Sequence, residues 1–330
     1  MGVQALPRSK PPFIDELRSV HRSLVSSQDL TSLHAIKKPS TALSVSAFAW
    51  DWAWIGTAFI LIAHFSWLGL LPALLIIGSR QRALSNLVHD ASHGNLLNNS
   101  RLNDGLTNAL AAYPMLDTVA SYRRSHMAHH QYLGDVELDP DSKSHLRYGF
   151  DDRAPMRGSW IQIFARLIFN RESWRDSVIG NMMALRSRDL LWIGAEWFAL
   201  LAAITAGFGI RGSIEFFVSW HLARATTYHC IRLFAEFMDH AGLKPGSIIG
   251  FTRNLPHTGV IATIFQPHQD TYHLVHHLMP KVPHYHLKAA HQLLTTTTAA
   301  YSRAHFCDSY FKGNHPAVIC WMGRCEKEIS

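Results

Sequence analysis

TAFILIAHFSW (57–67) runs directly into LGLLPALLIIG (68–78), and both lie inside a stretch from Pro39 to Ser79 of 41 residues without a lysine or arginine. As a single helix that stretch would be ~62 Å long at 1.5 Å per residue, whereas crossing the hydrocarbon of a bilayer takes ~30 Å. It therefore predicts a helical hairpin, 42–64 and 67–87, with a tight turn around Ser66 and Gly69. The competing possibility is a pair of long core helices in a soluble all-α protein, but the stretch lacks the charged face such helices show. Asp51 stands out within it, because a carboxylate at that depth is costly unless it is paired or near water.

A second pair follows: DLLWIGAEWFALLAAITAGFGI (189–210), a turn expected at Arg211 and Gly212, and SIEFFVSWHLARATTYHCIRLFAEFMDH (213–240). With spans at 189–210 and 213–238 the total is four. Of the 31 basic residues, 14 fall between Arg80 and Arg188, 6 precede the first span and 8 follow the last, while the two expected outer turns hold only Arg211. Lysine and arginine accumulate on the cytoplasmic side, so both termini and the 80–188 segment are expected there. That placement accounts for the net charge of +7 and excludes nucleic acid, since the charges flank spans instead of forming a stripe with interleaved aromatics. A mean hydropathy of zero fits apolar spans joined to a comparable mass of aqueous protein. Residues 1–38 are polar and carry no apolar signal segment. WIQIFARLIFN (160–170) has the pattern of a short helix lying in the membrane interface. Four cysteines are too few for a disulfide framework, and Cys307, Cys320 and Cys325 with His305 match no zinc spacing, so free thiols are expected.

The 22 histidines cluster. His89 and His93 form an H-x3-H pair; His126, His129 and His130, and His273, His276 and His277, each form H-x2-H-H. On a helix, spacings of three and four share a face, so each cluster is a chelate. All three fall on the expected cytoplasmic side, an agreement not built into the lysine and arginine count. The fourth span ends on the same side at Glu236, Asp239 and His240, which supplies a ninth histidine. Neutral imidazole suits iron, zinc, copper or nickel, and nine ligands suit two metals with four or five each. His145, His268, His284, His305 and His315 are expected to be ordinary.

HDASHGNL (89–96), YRRSHMAHHQYLGDVELDPD (122–141), RLFAEFMDHAG (232–242) and TYHLVHHLMPKVPHYHL (271–287) together resemble the membrane fatty acid desaturase superfamily, the three-histidine-box di-iron desaturases, hydroxylases and ketolases, over residues 40–295. The resemblance implies an all-α integral-membrane protein: four transmembrane helices capped by a cytoplasmic helical domain. Its parts would be a cytoplasmic segment (1–40), the desaturase domain (41–295) and a cytoplasmic tail (296–330). It also implies two iron ions held by His89, His93, His126, His129, His130, His240, His273, His276 and His277, with O2 as co-substrate. Asp239-His240 stands where related bacterial enzymes often carry Glu-His, and Glu236 could instead supply an oxygen ligand or place a water.

Beside the ligands, Asp90, Asp104, Asp135, Asp139, Asp141 and Asp239 are close enough in sequence to orient an imidazole, with Asp90, Asp139, Glu236 and Asp239 the principal candidates. His229 and Arg232 share the face of Glu236 and His240 and could line a substrate cavity. No side chain attacks an unactivated C–H bond, so such chemistry needs an oxidising cofactor. The expected reaction is O2-dependent introduction of a C=C bond into an acyl chain or a smaller amphiphile, with hydroxylation or ketolation on the same scaffold as the alternative. No haem or iron-sulfur pattern is present, so electrons would come from a separate ferredoxin, rubredoxin or cytochrome. Two readings from other classes carry less weight. A zinc hydrolase wants H-E-x-x-H, and a metal transporter would place its histidines inside the spans.

Overall fold

The first long apolar stretch is helical from Thr41 to Ser92 except at Ser66, whose φ of 49° and ψ of −127° reverse the chain. The two limbs are antiparallel. Asp51 and Arg80, about equally far from Ser66, meet at 2.9 Å, and a Cβ on Gly69 would run into the Leu61 carbonyl oxygen. The expected turn is therefore found, at Ser66 itself. The computed structural model describes residues 13–26, 30–151, 153–256 and 259–324; Cys325 lies outside them.

Asp51 is paired. It is fully buried, with Arg80 Nη1 on one oxygen at 2.9 Å and His268 Nε2 on the other at 2.8 Å. His268, expected to be ordinary, thus ties the first hairpin to the loop that precedes the third box.

The second hairpin begins at Ser187–Ala223 and reverses at Gly209, with φ 71° and ψ 174°, two residues before the expected Arg211. The reason is conformational: a positive φ with extended ψ is open to glycine and nearly closed to other residues, so Gly209 takes the reversal. Across this turn Ser213 Oγ donates to the Leu201 carbonyl at 2.9 Å. The returning limb passes through one wide turn at Arg224–Tyr228 and continues as His229–His240.

The hairpins pack side by side with their turns at one end. Phe59 stacks on Phe216 at 4.9 Å and Trp52 on Trp220 at 5.9 Å. Gly78 lets the second limb approach the wide turn, because a Cβ there would sit 2.6 Å from the Tyr228 amide nitrogen. Phe48, Ile55, Ile77, Leu84 and Trp220 form the buried seam. Both helical stretches are long and apolar enough to cross a membrane. Their outer faces carry Trp67, Leu71, Phe198 and Phe208, each more than three-quarters exposed, which a soluble core helix would not present.

The remainder gathers at the opposite end in two further cores. One joins Val20, Leu24, Phe251, Leu274 and Leu278; the other joins Ile163, Leu167, Phe234, Phe237 and Trp321. The helix expected at 160–170 forms as Trp160–Ile168, capped by Ser159, with Ile163 and Leu167 turned inward. Residues beyond 295 pack into these cores: Tyr301 and Trp321 are buried, and His305–Phe306 pairs in parallel with Arg253–Asn254. Cys230 and Cys307 are free, whereas Cys320 is disulfide-bonded. The expectation of free thiols fails there because a count too low for a disulfide framework does not bear on a single pairing.

Candidate metal centre

Each histidine box sits where the chain's local chemistry fixes it. His89 lies on the last turn of the first hairpin, past the expected end of that span, and His93 caps it. The exposed carbonyls of that turn are bonded by Arg123 of the second-box helix: Nε donates to the Ser92 oxygen at 2.7 Å and Nη2 to the Ala91 oxygen at 3.1 Å. The second-box helix, Val119–Tyr132, is capped by Thr118, and its period brings His126, His129 and His130 to one side. The third-box helix, His273–Leu278, starts under Asn254, whose side-chain oxygen accepts from the amides of Leu274 at 3.1 Å and Val275 at 3.4 Å. Asn254 and Arg123 were missed in the sequence. A cap acting across 20 residues carries no local signature.

These elements bring together all nine histidines in two groups. His89, His93, His126, His130 and His276 form the first, and His129, His240, His273 and His277 the second, with the possible ligand atoms of each group within 4.8 Å of one another. In the first, His276 Nε2 lies 2.9 Å from His89 Nε2, 3.3 Å from His126 Nε2 and 2.9 Å from His130 Nε2. In the second, His273 Nε2 lies 3.1 Å from both His240 Nε2 and His277 Nε2, and His129 Nε2 lies 3.3 Å from His277 Nε2.

A ring nitrogen carries one proton or one lone pair, so His276 Nε2 cannot be hydrogen-bonded to three nitrogens at once. Two nitrogens each ~2.1 Å from one ion and at right angles about it are ~3 Å apart, so the spacing fits donors converging on a shared cation. Protonation fits as well. Burial pushes His89 down to about 4, and burial with the neighbouring His89 pushes His93 to about 3. Burial, then the surrounding imidazoles, hold His126, His130, His273, His276 and His277 well below the usual value. Neutral rings keep the lone pair a metal needs.

Orienting partners stand behind several rings. His129 Nδ1 meets Asp139 Oδ1 at 3.0 Å and Asp141 Oδ2 at 3.3 Å. Asp139 is itself fixed by the amides of Gly134 at 2.8 Å and Asp141 at 2.9 Å. His240 Nδ1 donates to the Phe251 carbonyl at 2.9 Å, which turns its Nε2 toward His273. Asp239 stands 3.8 Å from His273 Nδ1. The other carboxylates go elsewhere. Asp90 binds His284 Nδ1 at 2.8 Å and Asn95 at 3.0 Å, Asp104 pairs with Arg123, and Asp135 caps the turn at Glu137 and Leu138. Glu236 is held by Arg232 Nη1 at 2.7 and 2.8 Å and belongs to neither histidine group. His229 is buried between Ser177 and the Ile168 carbonyl. A cavity of about 500 Å³ opens onto both groups, reaching His89 and His126 of one and His129, His240 and His273 of the other.

Comparison with known proteins agrees with this geometry. Residues 65–309 match the fatty acid desaturase family. The chain is 30% identical over 268 residues to dihydrorhizobitoxine desaturase of Bradyrhizobium elkanii, covering 78% of this chain and 76% of that protein. It is 28% identical to a putative sphingolipid delta(4)-desaturase/C4-monooxygenase of Caenorhabditis elegans, over 47% of this chain and 46% of the relative. It is 26% identical to a chloroplastic omega-3 fatty acid desaturase of Glycine max, over 67% and 53%; the chain thus spans about half the length of these last two. On the extent of the family match and the similarity to the first of these relatives, the chain belongs to the fatty acid desaturase family of membrane-associated oxidoreductases.

Proposed function

We propose that the protein is an O2-dependent di-iron desaturase, with one iron held by His89, His93, His126, His130 and His276 and a second by His129, His240, His273 and His277. The observation that carries this is the division of the nine histidines into a five and a four, which suits two ions and leaves none over. Iron bound there supplies, with O2, the oxidising power to take hydrogen from adjacent unactivated carbons, which no side chain has. The balance is R–CH2–CH2–R′ + O2 + 2e⁻ + 2H⁺ giving R–CH=CH–R′ + 2H2O. The electrons come from a separate donor of the ferredoxin, rubredoxin or cytochrome type.

The chain's own part is to hold and to orient. Burial keeps the imidazoles neutral, Asp139 and the Phe251 carbonyl set two ring tautomers, and Arg123 locks the first box to the second. Asp139→Asn is expected to keep the fold and lower iron affinity or turnover ~10- to 100-fold, read from iron per chain and initial rate. An unchanged rate would mean that the amides of Gly134 and Asp141, not His129, are what Asp139 serves.

The direct test of the reaction is iron per purified chain together with the mass of the product. Two irons and the loss of two hydrogens support desaturation, one zinc supports a hydrolase, and gain of one oxygen supports hydroxylation. Membrane placement follows the same proposal: both hairpins span the bilayer, giving four crossings, with the histidine end cytoplasmic because 14 basic residues lie between Arg80 and Arg188. A reporter at Gly149 is expected to label as cytoplasmic and one at Gly209 as exterior. The same side for both would remove the second hairpin as a pair of spans.

A further inference from the structure

The 500 Å³ cavity meets the protein surface along two edges. At one, Arg147 reaches Asp176 at 2.7 Å and the Tyr148 hydroxyl donates to the same carboxylate at 3.0 Å, so an ion pair crosses it. At the other, the exposed lining residues are Arg124 and Ser125 of the second-box helix and Asn181 and Ala184 of the segment that leads into the second hairpin. That segment is a strap: a short helix Arg171–Arg175, a wide turn Asp176–Gly180 and a tight turn Asn181–Ala184.

Helical rise sets the depth of the strap. From Ser187 to the reversal at Gly209 the chain rises ~33 Å at 1.5 Å per residue, one thickness of hydrocarbon, so Asn181–Ala184 lies at its inner boundary. The start of the strap is deeper still. Trp174 Nε1 donates to the Ala225 carbonyl at 3.0 Å and Arg224 Nε to the Val178 carbonyl at 3.0 Å, and Ala225 stands only ~24 Å along the returning limb from Gly209.

The surface of the strap suits that depth. No charged residue occurs from Ser177 to Leu185. Phe169 is 86% exposed and Met183 69%, Trp174 and Ile179 are exposed as well, and the run continues into Leu191 and Trp192 on the outer face of the hairpin. In water these side chains would form a bare apolar patch; beside the hairpins they extend one apolar surface. Arg171, Arg186 and Arg188, all exposed, flank it, and anionic headgroups of the cytoplasmic leaflet attract basic residues so placed.

We propose that the strap is seated in the cytoplasmic leaflet and that the mouth between Ser125 and Ala184 opens into the bilayer, so that the substrate reaches the histidine groups as a membrane-dissolved amphiphile moving sideways out of the leaflet, not from water. This rests on the four-crossing placement above and extends it. Ile179 and Met183 keep the outer edge of the mouth in hydrocarbon.

The test uses the full-length, iron-loaded protein in phosphatidylcholine nanodiscs, with photoreactive p-benzoylphenylalanine replacing Met183, Phe198 on the first limb of the second hairpin, or Thr295 on the cap helix Leu287–Thr297. Lipid adducts are read by mass spectrometry of the chain. Adducts from the Met183 and Phe198 positions and none from Thr295 are the expected result. Adducts from Phe198 alone would leave the membrane placement standing and overturn the seat of the strap in the leaflet. No adduct from either would overturn the placement and the proposal together. A crosslink from Met183 to a second copy of the chain, in place of lipid, overturns the proposal as well. Entry is read with stearic acid carrying a diazirine on its chain, dissolved in the disc lipid. It should label the cavity wall within 117–126 or 140–148, and Ala184→Trp should abolish that labelling with iron per chain unchanged. Asn181→Trp, on the same rim, guards against a folding defect in the first variant. Wall labelling undiminished in both variants, or absent from the unsubstituted chain, would show that this mouth is not the route.

Discussion

His276→Ala is expected to abolish product formation and to lower bound iron from about two per chain toward one. Its Nε2 lies within 3.3 Å of three other ring nitrogens, so the variant deletes the donor around which the five-histidine group converges. Each imidazole left behind is buried and neutral and has a single lone pair, already turned into the group, so none can stand in for the lost donor. His240→Ala is the matching change in the four-histidine group. It should remove the other iron and as much activity, because His240 Nε2 faces His273 Nε2 at 3.1 Å and its ring is set by the Phe251 carbonyl. His315→Ala, in neither group, serves as the control and should behave as wild type. Metal analysis beside initial rates separates the cases. Two irons and full turnover in either variant would remove that histidine from the centre, and in His276→Ala would undo the assignment of the five.

The hairpins and the histidine groups were legible because both are periodic and local. A run of 41 residues without positive charge, with apolar sequence continuing to Leu87, is too long for one crossing and must fold back, and spacings of three and four leave no doubt which imidazoles share a face. The second turn was misplaced by two residues because Arg211-Gly212 looks like a turn in composition, whereas the reversal needs the backbone freedom that Gly209 supplies. The orienting carboxylates were only partly legible. Asp90 is next to His89 in sequence, yet a helix turns neighbours away from one another, and it meets His284 instead; Asp104 lies on the following helix, Ser100–Thr107, and meets Arg123. What joins the boxes was beyond sequence reasoning altogether. Arg123, Asn254 and His268 each act across long separations, and their residue types fit many surface roles equally well.

Asp51→Leu is expected to be the most damaging change remote from the histidines. Arg80 is 5% exposed, and without Asp51 its guanidinium keeps only Ser79 Oγ at 2.8 Å and the Thr263 carbonyl at 2.7 Å, neither of them charged. Removing one partner of a buried pair costs ~3–5 kcal/mol, because the other charge stays buried and uncompensated, whereas replacing both with apolar residues is often neutral. The double variant Asp51→Leu with Arg80→Met should therefore recover most of the folded yield and thermal midpoint lost in the single one. The damage should also reach the metal centre. Asp51 holds His268, which has a φ of 58°, and Arg82, two residues beyond Arg80, holds Asp270 at 2.5 Å. Both contacts grip the loop that delivers His273, so Asp51→Leu should lower iron in the four-histidine group of whatever protein still folds. If the double variant is as unstable as the single one, the His268 contact and not the ion pair is what the hairpin needs. His268→Gln, which keeps a donor without a charge, would then be benign while His268→Leu would not.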